Sequence, residues 1–323
     1  MARKTAFDKK LDRIAELRSC SHDDATEREL EKLLADSNAL IVSRAAAVVG
    51  SREVTRLVPH LVAALERLLQ ARAKDDKGCL AKEAIAKSLE ELRNDAPEPF
   101  LAGARHVQLE GTFDGTIDTA AGLRAVCAVA LTRFSHEWEA MRTLADLLAD
   151  PEAVVRSEAA RALGQVVDSG TAELLLRLKS QLGDTEEEVV ESTFASLLAI
   201  DDEYYAFVES RLLKAGSATV RAAAMALGLS QDRARATTVL LNAWEATRGP
   251  TRELVLVPLA LTKTEEAFAF LCRVVRREDK RYALEALRAL SVFPSTDEQR
   301  ELVREAAEAH VDRAVIEAHD RLF

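Results

Sequence analysis

The chain has few of the residues that β-rich folds depend on. Of its 323 residues, 12 are glycine and 7 are proline, and aromatic residues make up only 5%. Sheets favour aromatic residues, and their tight turns use glycine and proline. Ala, Leu, Glu and Arg dominate instead, and all four are strong helix formers. The composition therefore favours an all-α protein.

Long apolar runs are also missing. The longest, residues 254–261, has eight residues, whereas a helix that crosses a membrane needs about 20. The first residues lack the apolar core of a secretory signal. The cysteines are far apart and form no CxxC pair, which is typical of a reducing compartment without disulfides; they are Cys20, Cys79, Cys127 and Cys272. We therefore expect a cytoplasmic protein that does not associate with membranes.

An excess of basic charge is absent too. The chain has 44 basic and 54 acidic residues, which gives a net charge of −10. Proteins that bind nucleic acids normally carry a basic surface that contacts the phosphates. The acidic balance disfavours a nucleic-acid partner and is compatible with a protein partner.

Short helical segments recur along the chain. Three of them begin with a Val-Val or Thr-Val step and continue with small apolar residues at helical spacing: AVVRSEAARALGQVV (153–167), EVVESTFASLLAI (188–200) and TVRAAAMALGL (219–229). With weaker copies there are nine such segments, and those in the C-terminal two thirds are spaced by 30 to 35 residues. Amphipathic stretches such as 139–150 lie between them. A pair of helices with its turns needs about 30 to 40 residues, so each repeat is a helix pair.

The segment LADPEAVVRSEAARALG (148–164) is the most specific copy. Its Asp150-Pro151 turn, its Val155-Arg156 step and its ending at 162–164 resemble the HEAT repeat, in particular the short bacterial type found in phycobilin lyases. The resemblance implies that the second helix of each repeat lines a concave face. It also implies a ladder of Asp and Arg side chains between neighbouring turns, to which Asp150 and Arg156 correspond. HEAT repeats define a shape and not an activity.

We predict a right-handed α-α superhelix, a HEAT-type solenoid of about eight or nine helix pairs. Residues 1–323 form a single repeat array in this prediction. Residues 1–136 are less regular and contain a loop excursion at 105–119, whereas residues 137–323 form regular repeats.

The loop excursion differs from the rest of the chain because it is polar and contains glycine. It places several chemically active side chains in one neighbourhood: His106, Gln108, Glu110, Asp114, Asp118 and Arg124. Loops held by a rigid framework often carry binding residues. Three interpretations remain open. In the first the segment is structural, so that Asp118 or Thr119 caps the next helix and Arg124 is a ladder arginine. In the second it contacts a protein or a small ligand, and in the third it takes part in catalysis. The segment is also similar to one in a group of bacterial HEAT-repeat proteins that have no assigned activity.

Catalytic and metal-binding motifs are not found in the sequence. The six histidines form neither HxxxH nor HExxH, the spacings that place two metal ligands on one helix face. The single pair His136-Glu137 does not match deoxyhypusine hydroxylase, a HEAT-like protein that holds two irons with several such pairs. There is no Walker-type glycine loop and no GxSxG. We expect no catalytic residue, no metal and no cofactor.

The sequence favours a non-enzymatic scaffold or adaptor that binds a protein partner, whose identity it does not reveal, on a concave surface. The candidate contact residues are His106, Gln108, Glu110, Asp114, Arg124, Arg156, Arg161 and Ser196. The alternative is an enzyme or enzyme accessory on the same framework. A role like that of a bilin lyase follows from the repeat subtype alone. A role like that of a DNA glycosylase needs a basic concave face with aromatic residues, and we expect the two tryptophans, Trp138 and Trp244, to be packed instead.

Overall fold

The computed structural model describes residues 5–19, 23–166, 170–214, 216–292 and 296–323. Regular structure in these ranges is almost entirely helical, which confirms the predicted all-α class. The chain divides into two compact units, unit 1 (Met1–Val166) and unit 2 (Val167–Phe323). None of the helices described is both long and apolar enough to cross a membrane.

Unit 1 consists of helices and one two-stranded sheet. In chain order these are α1 (Ala6–Leu17), α2 (Asp24–Leu34), α3 (Ala39–Ser51), α4 (Val58–Leu69), α5 (Leu80–Glu91), α6 (Glu98–Ala104), β1 (Leu109–Thr112), β2 (Gly115–Asp118), α7 (Ala121–Leu131), α8 (Trp138–Leu147) and α9 (Ala153–Gly164). Short 3₁₀ segments cover Thr55–Leu57, Ala73–Cys79 and Thr132–Phe134. Helices α3, α5, α7 and α9 pack side by side in one layer, and α2, α4, α6 and α8 form the other. This is the stacking of an α-solenoid, in which each helix pair buries its apolar face against its neighbours.

Unit 2 repeats the same arrangement. Its helices are α10 (Gly170–Leu182), α11 (Glu187–Ile200), α12 (Tyr204–Lys214), α13 (Ser217–Gly228), α14 (Arg233–Ala246), α15 (Pro250–Glu253), α16 (Leu256–Thr262), α17 (Glu265–Arg277), α18 (Lys280–Ser291), α19 (Asp297–Glu308) and α20 (Arg313–Leu322). Helices α11, α13, α16, α18 and α20 form one layer, against which the remaining helices pack. The handedness of the superhelix and the continuity of the array along the chain stay predictions.

Small residues let neighbouring helices of the same layer approach closely. Where α3 meets α5, a Cβ added at Gly50 would lie 3.0 Å from the Cα of Ser88. The Ser88 hydroxyl also donates a hydrogen bond to the carbonyl oxygen of Ala46 across this contact, at 2.8 Å. Both Ala45 and Ala46 are completely buried. The abundance of alanine in the repeats therefore reflects close packing as well as helix propensity.

The two tryptophans differ in their surroundings. Trp244 is buried and makes edge-to-face contacts with Phe270 and Tyr282, with ring centroids 5.5 and 5.3 Å apart. Trp138 is 78% exposed, so the prediction that it is packed was wrong. It is the first residue of α8 and is not among the residues that this helix buries. Of the cysteines, Cys79, Cys127 and Cys272 are free thiols, and Cys20 lies outside the described residues.

Candidate functional site

A β-hairpin occupies the excursion between α6 and α7. Leu109 pairs with Asp118, and Thr112 pairs with Gly115, so that a two-residue turn, Phe113-Asp114, joins β1 and β2. The backbone of Gly115 has a φ of +147°, a conformation that glycine adopts far more easily than other residues. The segment that the sequence analysis described as a loop excursion at 105–119 therefore contains two strands.

Apolar side chains on this hairpin are exposed to solvent. Phe113 at the turn is fully exposed, and Val107, Leu109 and Ile117 are each more than half exposed. The register places Leu109 and Ile117 on opposite faces of the ribbon. In the portion of the chain that the structure covers, the sheet contains only these two strands, so the outer edge of each strand has no strand beside it. A short strand pair with apolar side chains on both faces is unstable in water unless it packs against something else.

The first contact that holds the hairpin is a buried polar cluster, which we call the Lys82 network: Asp76, Lys82, Gln108 and Glu110. The Lys82 ammonium lies 3.1 Å from Asp76 Oδ2 and donates a hydrogen bond of 2.7 Å to Gln108 Oε1. The Gln108 side-chain amide donates to the Asp76 carbonyl and to Glu110 Oε1, both at 2.8 Å. Asp76 and Lys82 are completely buried. The network therefore ties the start of the hairpin to the start of α5.

The loop before α5 places Asp76 where a helix favours a negative charge. Gly78 and Cys79 both have left-handed backbone conformations, with φ of +73° and +56°, and this tight turn brings the Asp76 carboxylate back over the helix end. Its oxygens accept hydrogen bonds from the N–H groups of Ala81 and Lys82, at 2.9 and 3.2 Å. Carboxylates stabilise helix N-termini because they satisfy free N–H groups and oppose the helix dipole. Asp76 thus serves the helix and the hairpin together.

The second contact joins the end of the hairpin to the next helix pair. We call it the Arg124 network, and it consists of Arg124, Asp118, Asp150 and the His106 carbonyl group. Arg124 on α7 is 2% exposed. Its guanidinium donates to Asp118 at 2.6 Å and to the His106 carbonyl at 3.1 Å. It also makes two hydrogen bonds with the Asp150 carboxylate, at 2.7 and 2.9 Å. Two-point contacts between Arg and a carboxylate are strong and directional, so both ends of the hairpin are fixed.

Hydrogen bonds keep the acidic groups of the hairpin ionised. Burial by itself would raise the pKa of Asp118, but the N–H groups of Ala120 and Gln108 and the Arg124 guanidinium outweigh it and lower the pKa. Hydrogen bonds from the Gln108 side chain and the Gly78 N–H lower the pKa of Glu110.

His106 is held in its neutral form. Burial, together with the nearby Lys82 ammonium, lowers the pKa of this histidine. Its Nε2 atom is buried and has no hydrogen-bond partner among the described residues. A neutral imidazole whose Nε2 atom is closed off from solvent is poorly placed for proton exchange with a substrate.

A cleft of about 950 Å³ lies beside the hairpin. The cleft is lined by Glu110 on one side and by the turn before α3 and the end of α4 on the other sides. Its lining is mixed. Leu80, which is 54% exposed, contributes apolar surface, and Arg67, Lys74 and Lys77 contribute positive charge. The hairpin and this cleft form a continuous candidate site, which we call the hairpin surface. Across the described ranges, no group of three His, Cys, Asp or Glu side chains is arranged to hold a metal ion.

Residues 116–199, which extend from β2 through α11, match the family model of HEAT repeats. Over this range the sequence has the pattern of HEAT repeats. Comparison with curated protein sequences gives no match.

Solved structures that match the chain have low sequence identity and low TM-scores. The complex of CpcE and CpcF of phycocyanin lyase from Nostoc is 18% identical, with 94% of this chain and 97% of that chain covered and a TM-score of 0.33. An engineered protein is 18% identical, with coverages of 99% and 95% and a TM-score of 0.35. Human deoxyhypusine hydroxylase in complex with glycerol is 18% identical, with coverages of 85% and 97% and a TM-score of 0.31.

The ladder implied by the HEAT resemblance is present between two repeats, but with a different arginine. Arg124, in the repeat before Asp150, makes the ion pair across the repeats. Arg156 donates instead to the carbonyl oxygens of Asp150 and Pro151 in its own repeat, at 2.8 Å each. Arg124 therefore has the ladder role that the sequence left open, and it orders the hairpin at the same time.

The predicted contact residues fall into three groups. His106, Gln108, Glu110 and Arg124 do lie together, with Asp118, but Gln108 and Arg124 are buried and hold the hairpin from beneath. Asp114 lies apart from them in the exposed turn. The residues outside the hairpin do not join this site: Ser196 is buried in α11, Arg156 binds backbone carbonyls, and Arg161 is exposed and pairs with Glu158.

Two important residues, Asp76 and Lys82, were missed from the sequence. A signal for Lys82 was available, because it stands three and four residues before Ile85 and Ala86, on the face of α5 that is buried. A lysine at a core position of an amphipathic helix requires a buried partner. Asp76 gave no comparable signal, since its role depends on a turn whose shape the sequence does not indicate.

Proposed function

We propose that this protein is a docking scaffold that binds a protein partner through the hairpin surface. The observation that supports this most directly is the combination of exposed apolar side chains on the hairpin with buried polar networks at both of its ends. Exposed apolar side chains lower solubility, and a bound partner would cover them.

Rigid anchoring favours binding by lowering its entropic cost. A flexible loop loses conformational freedom when it binds, at roughly 0.5–1.5 kcal/mol for each immobilised side chain. The Lys82 and Arg124 networks fix the backbone of the hairpin before a partner arrives. Phe113 then presents a large aromatic ring, and aromatic residues are enriched in protein interfaces.

The free strand edges give a partner a second way to bind. An extended peptide segment can add to the edge of β1 or β2, so that backbone hydrogen bonds provide affinity and side-chain contacts provide selectivity. Leu109 and Ile117, on opposite faces of the ribbon, would each contact such a segment. The adjacent cleft, with Leu80 and the basic residues of its lining, extends the area of contact.

The proposal is tested with a partner isolated by affinity purification and then produced in pure form. Phe113→Asp should weaken its binding by about thirtyfold or more, measured by calorimetry, because loss of an interface anchor costs about 2 kcal/mol or more. The matched control is Val311→Asp in unit 2, since Val311 is equally exposed, at 98%. Unchanged circular dichroism would show that both variants fold. Equal affinity of the Phe113→Asp variant and the wild type would refute the role of the hairpin.

A further inference from the structure

A second surface with different chemistry lies on α17 in unit 2. Arg273, Arg276 and Arg277 are spaced by three and four residues, so they share one face of the helix. All three are exposed. The Arg273 guanidinium lies 5.0 Å from the centre of the Phe270 ring, which holds it close to the helix surface.

These three arginines lack acidic partners, unlike several other arginines of the same unit. None of the three makes an ion pair with any residue that the structure describes. Exposed arginines elsewhere in unit 2 do make such pairs, among them Arg221, Arg288 and Arg313. In a chain of net charge −10, these three neighbouring cations therefore have no counter-charge, and an anion that binds beside them would reduce their mutual repulsion.

The helix dipole accounts for some of this pattern. Arg276 and Arg277 lie in the last turn of α17, where positive side chains are favourable. The dipole does not require a third arginine one turn earlier. It also does not account for the cleft that the arginines border.

That cleft has an apolar floor. It has a volume of about 380 Å³ and is lined by Phe268, Ala269 and Cys272 of α17 and by Leu302 of α19, with the three arginines at its rim. Leu302 is 43% exposed. Burial raises the pKa of the Cys272 thiol to about 11, so this cysteine is neutral and contributes apolar surface. An apolar centre with an arginine rim is the composition of a protein interface.

We propose that this arginine face of α17 binds a helical, acidic and amphipathic segment of another protein. One apolar side chain of that segment enters the cleft over Cys272 and Leu302, and carboxylates on the flanking turns pair with the arginines. Arginine pairs well with carboxylates because its planar group donates two parallel hydrogen bonds. A nucleic acid is a poorer fit, since it has no aliphatic side chain for the cleft and is repelled by the net charge of the chain. This surface does not depend on the hairpin surface.

The test uses a fluorescein-labelled peptide of about 18 residues, long enough to form a helix on its own. The peptide carries leucines on one face and glutamates beside them, and a matched peptide has glutamine at each glutamate position. Fluorescence anisotropy with the full chain should show that the glutamate peptide binds at least about tenfold tighter than the glutamine peptide. It should also show that salt weakens the binding of the glutamate peptide.

Two triple variants separate local from general charge effects. R273A/R276A/R277A should lose the preference for glutamate. R221A/R288A/R313A removes the same charge elsewhere in unit 2 and should keep the preference. Leu302→Ala should weaken both peptides by similar factors. Amide hydrogen exchange of the wild type adds a readout independent of any variant, since the glutamate peptide should protect the surfaces of α17 and α19.

Three results would overturn the proposal. The first is equal binding of the two peptides by the wild type. The second is equal loss of binding in the two triple variants, which would indicate a general charge effect. The third is displacement of the glutamate peptide by single-stranded DNA of the same charge at the same concentration, which would indicate a site for polyanions.

Discussion

Replacement of Lys82 by methionine tests whether the buried network holds the hairpin in place. Methionine has a similar length and fills the space of the lysine stem, so the change removes the charge with little change in packing. The Lys82 ammonium contacts Asp76 at 3.1 Å and Gln108 at 2.7 Å, and both Asp76 and Lys82 are completely buried. After the replacement, Asp76 remains as a buried carboxylate without a cation, and Gln108 Oε1 loses a donor.

The size of the effect follows from these contacts. Removal of one partner of a buried ion pair costs about 3–5 kcal/mol of stability, because the other charge stays buried. The Asp76 carboxylate keeps its two hydrogen bonds from backbone N–H groups, so we expect the lower end, about 3 kcal/mol. The double variant D76N/K82M removes the uncompensated charge and should recover about half of the loss, because neutral side chains are less costly to bury.

Two assays measure the effect, one global and one local. Urea unfolding followed by circular dichroism gives the stability of the full chain, and hydrogen exchange read by mass spectrometry gives the local opening of residues 105–119. A solenoid need not unfold in one step, so the local measurement decides. The control is Lys87→Met. Lys87 lies on the same helix but makes an exposed pair with Glu83, and its loss should cost less than about 0.5 kcal/mol.

If the hairpin amides of the Lys82→Met variant exchange as slowly as those of the Lys87→Met variant, the Lys82 network does not hold the hairpin. That outcome would mean that the hairpin is held by its own turn and by the Arg124 network alone. A loss of stability in the global assay without faster exchange in 105–119 would place the effect in α5 and not in the hairpin.

Three further predictions concern backbone space and pH. Gly228→Ala should destabilise the chain by about 1–3 kcal/mol in urea unfolding, because the added Cβ would lie 2.7 Å from the Pro258 carbonyl oxygen. The control is Gly111→Ala, which should have a much smaller effect because no atom lies within 4 Å of a Cβ at that position. Gly115→Ala should cost about 1–2 kcal/mol and speed exchange in the hairpin, because its φ is +147°. The pKa of Asp118 is lowered, so its contribution to stability is present above its unfolded pKa of about 3.9 and is lost as pH falls through the still lower folded pKa. Asp118→Asn should therefore reduce the acid dependence of hairpin exchange, and the part that remains belongs to Glu110, whose pKa is also lowered.

Much of the fold was predictable because it depends on local patterns. Apolar residues at helical spacing, repeated every thirty-odd residues, require helix pairs that shelter each other, and both units show that stacking. The prediction that was wrong concerns a residue at the end of a helix, where the helical pattern does not determine burial. Trp138 lies in an apolar pattern, yet as the first residue of α8 it is exposed.

The site was only partly predictable for a physical reason. The sequence brought His106, Gln108, Glu110 and Arg124 into one neighbourhood because they are close in the chain. It could not show which of them are buried, since burial here depends on Asp76 and Asp150, 32 and 26 residues away from their hydrogen-bond partners. Long-range polar contacts leave little periodic signal, and the single clue was a lysine at a core position.

The hairpin illustrates how a repeat protein can acquire a specific surface at one place. In a solenoid each repeat contacts mainly its neighbours, so an insertion between α6 and α7 disturbs two interfaces at most. The Arg124 network combines an ion pair between repeats, Arg124 with Asp150, with a second ion pair from Arg124 to Asp118 on the hairpin. The Lys82 network has no counterpart in that ladder, and it anchors the other end. Because the Arg124 network also joins α7 to the loop before α9 and the Lys82 network does not, loss of Lys82 should release the hairpin with α7 and α9 still stacked, whereas loss of Arg124 should loosen both.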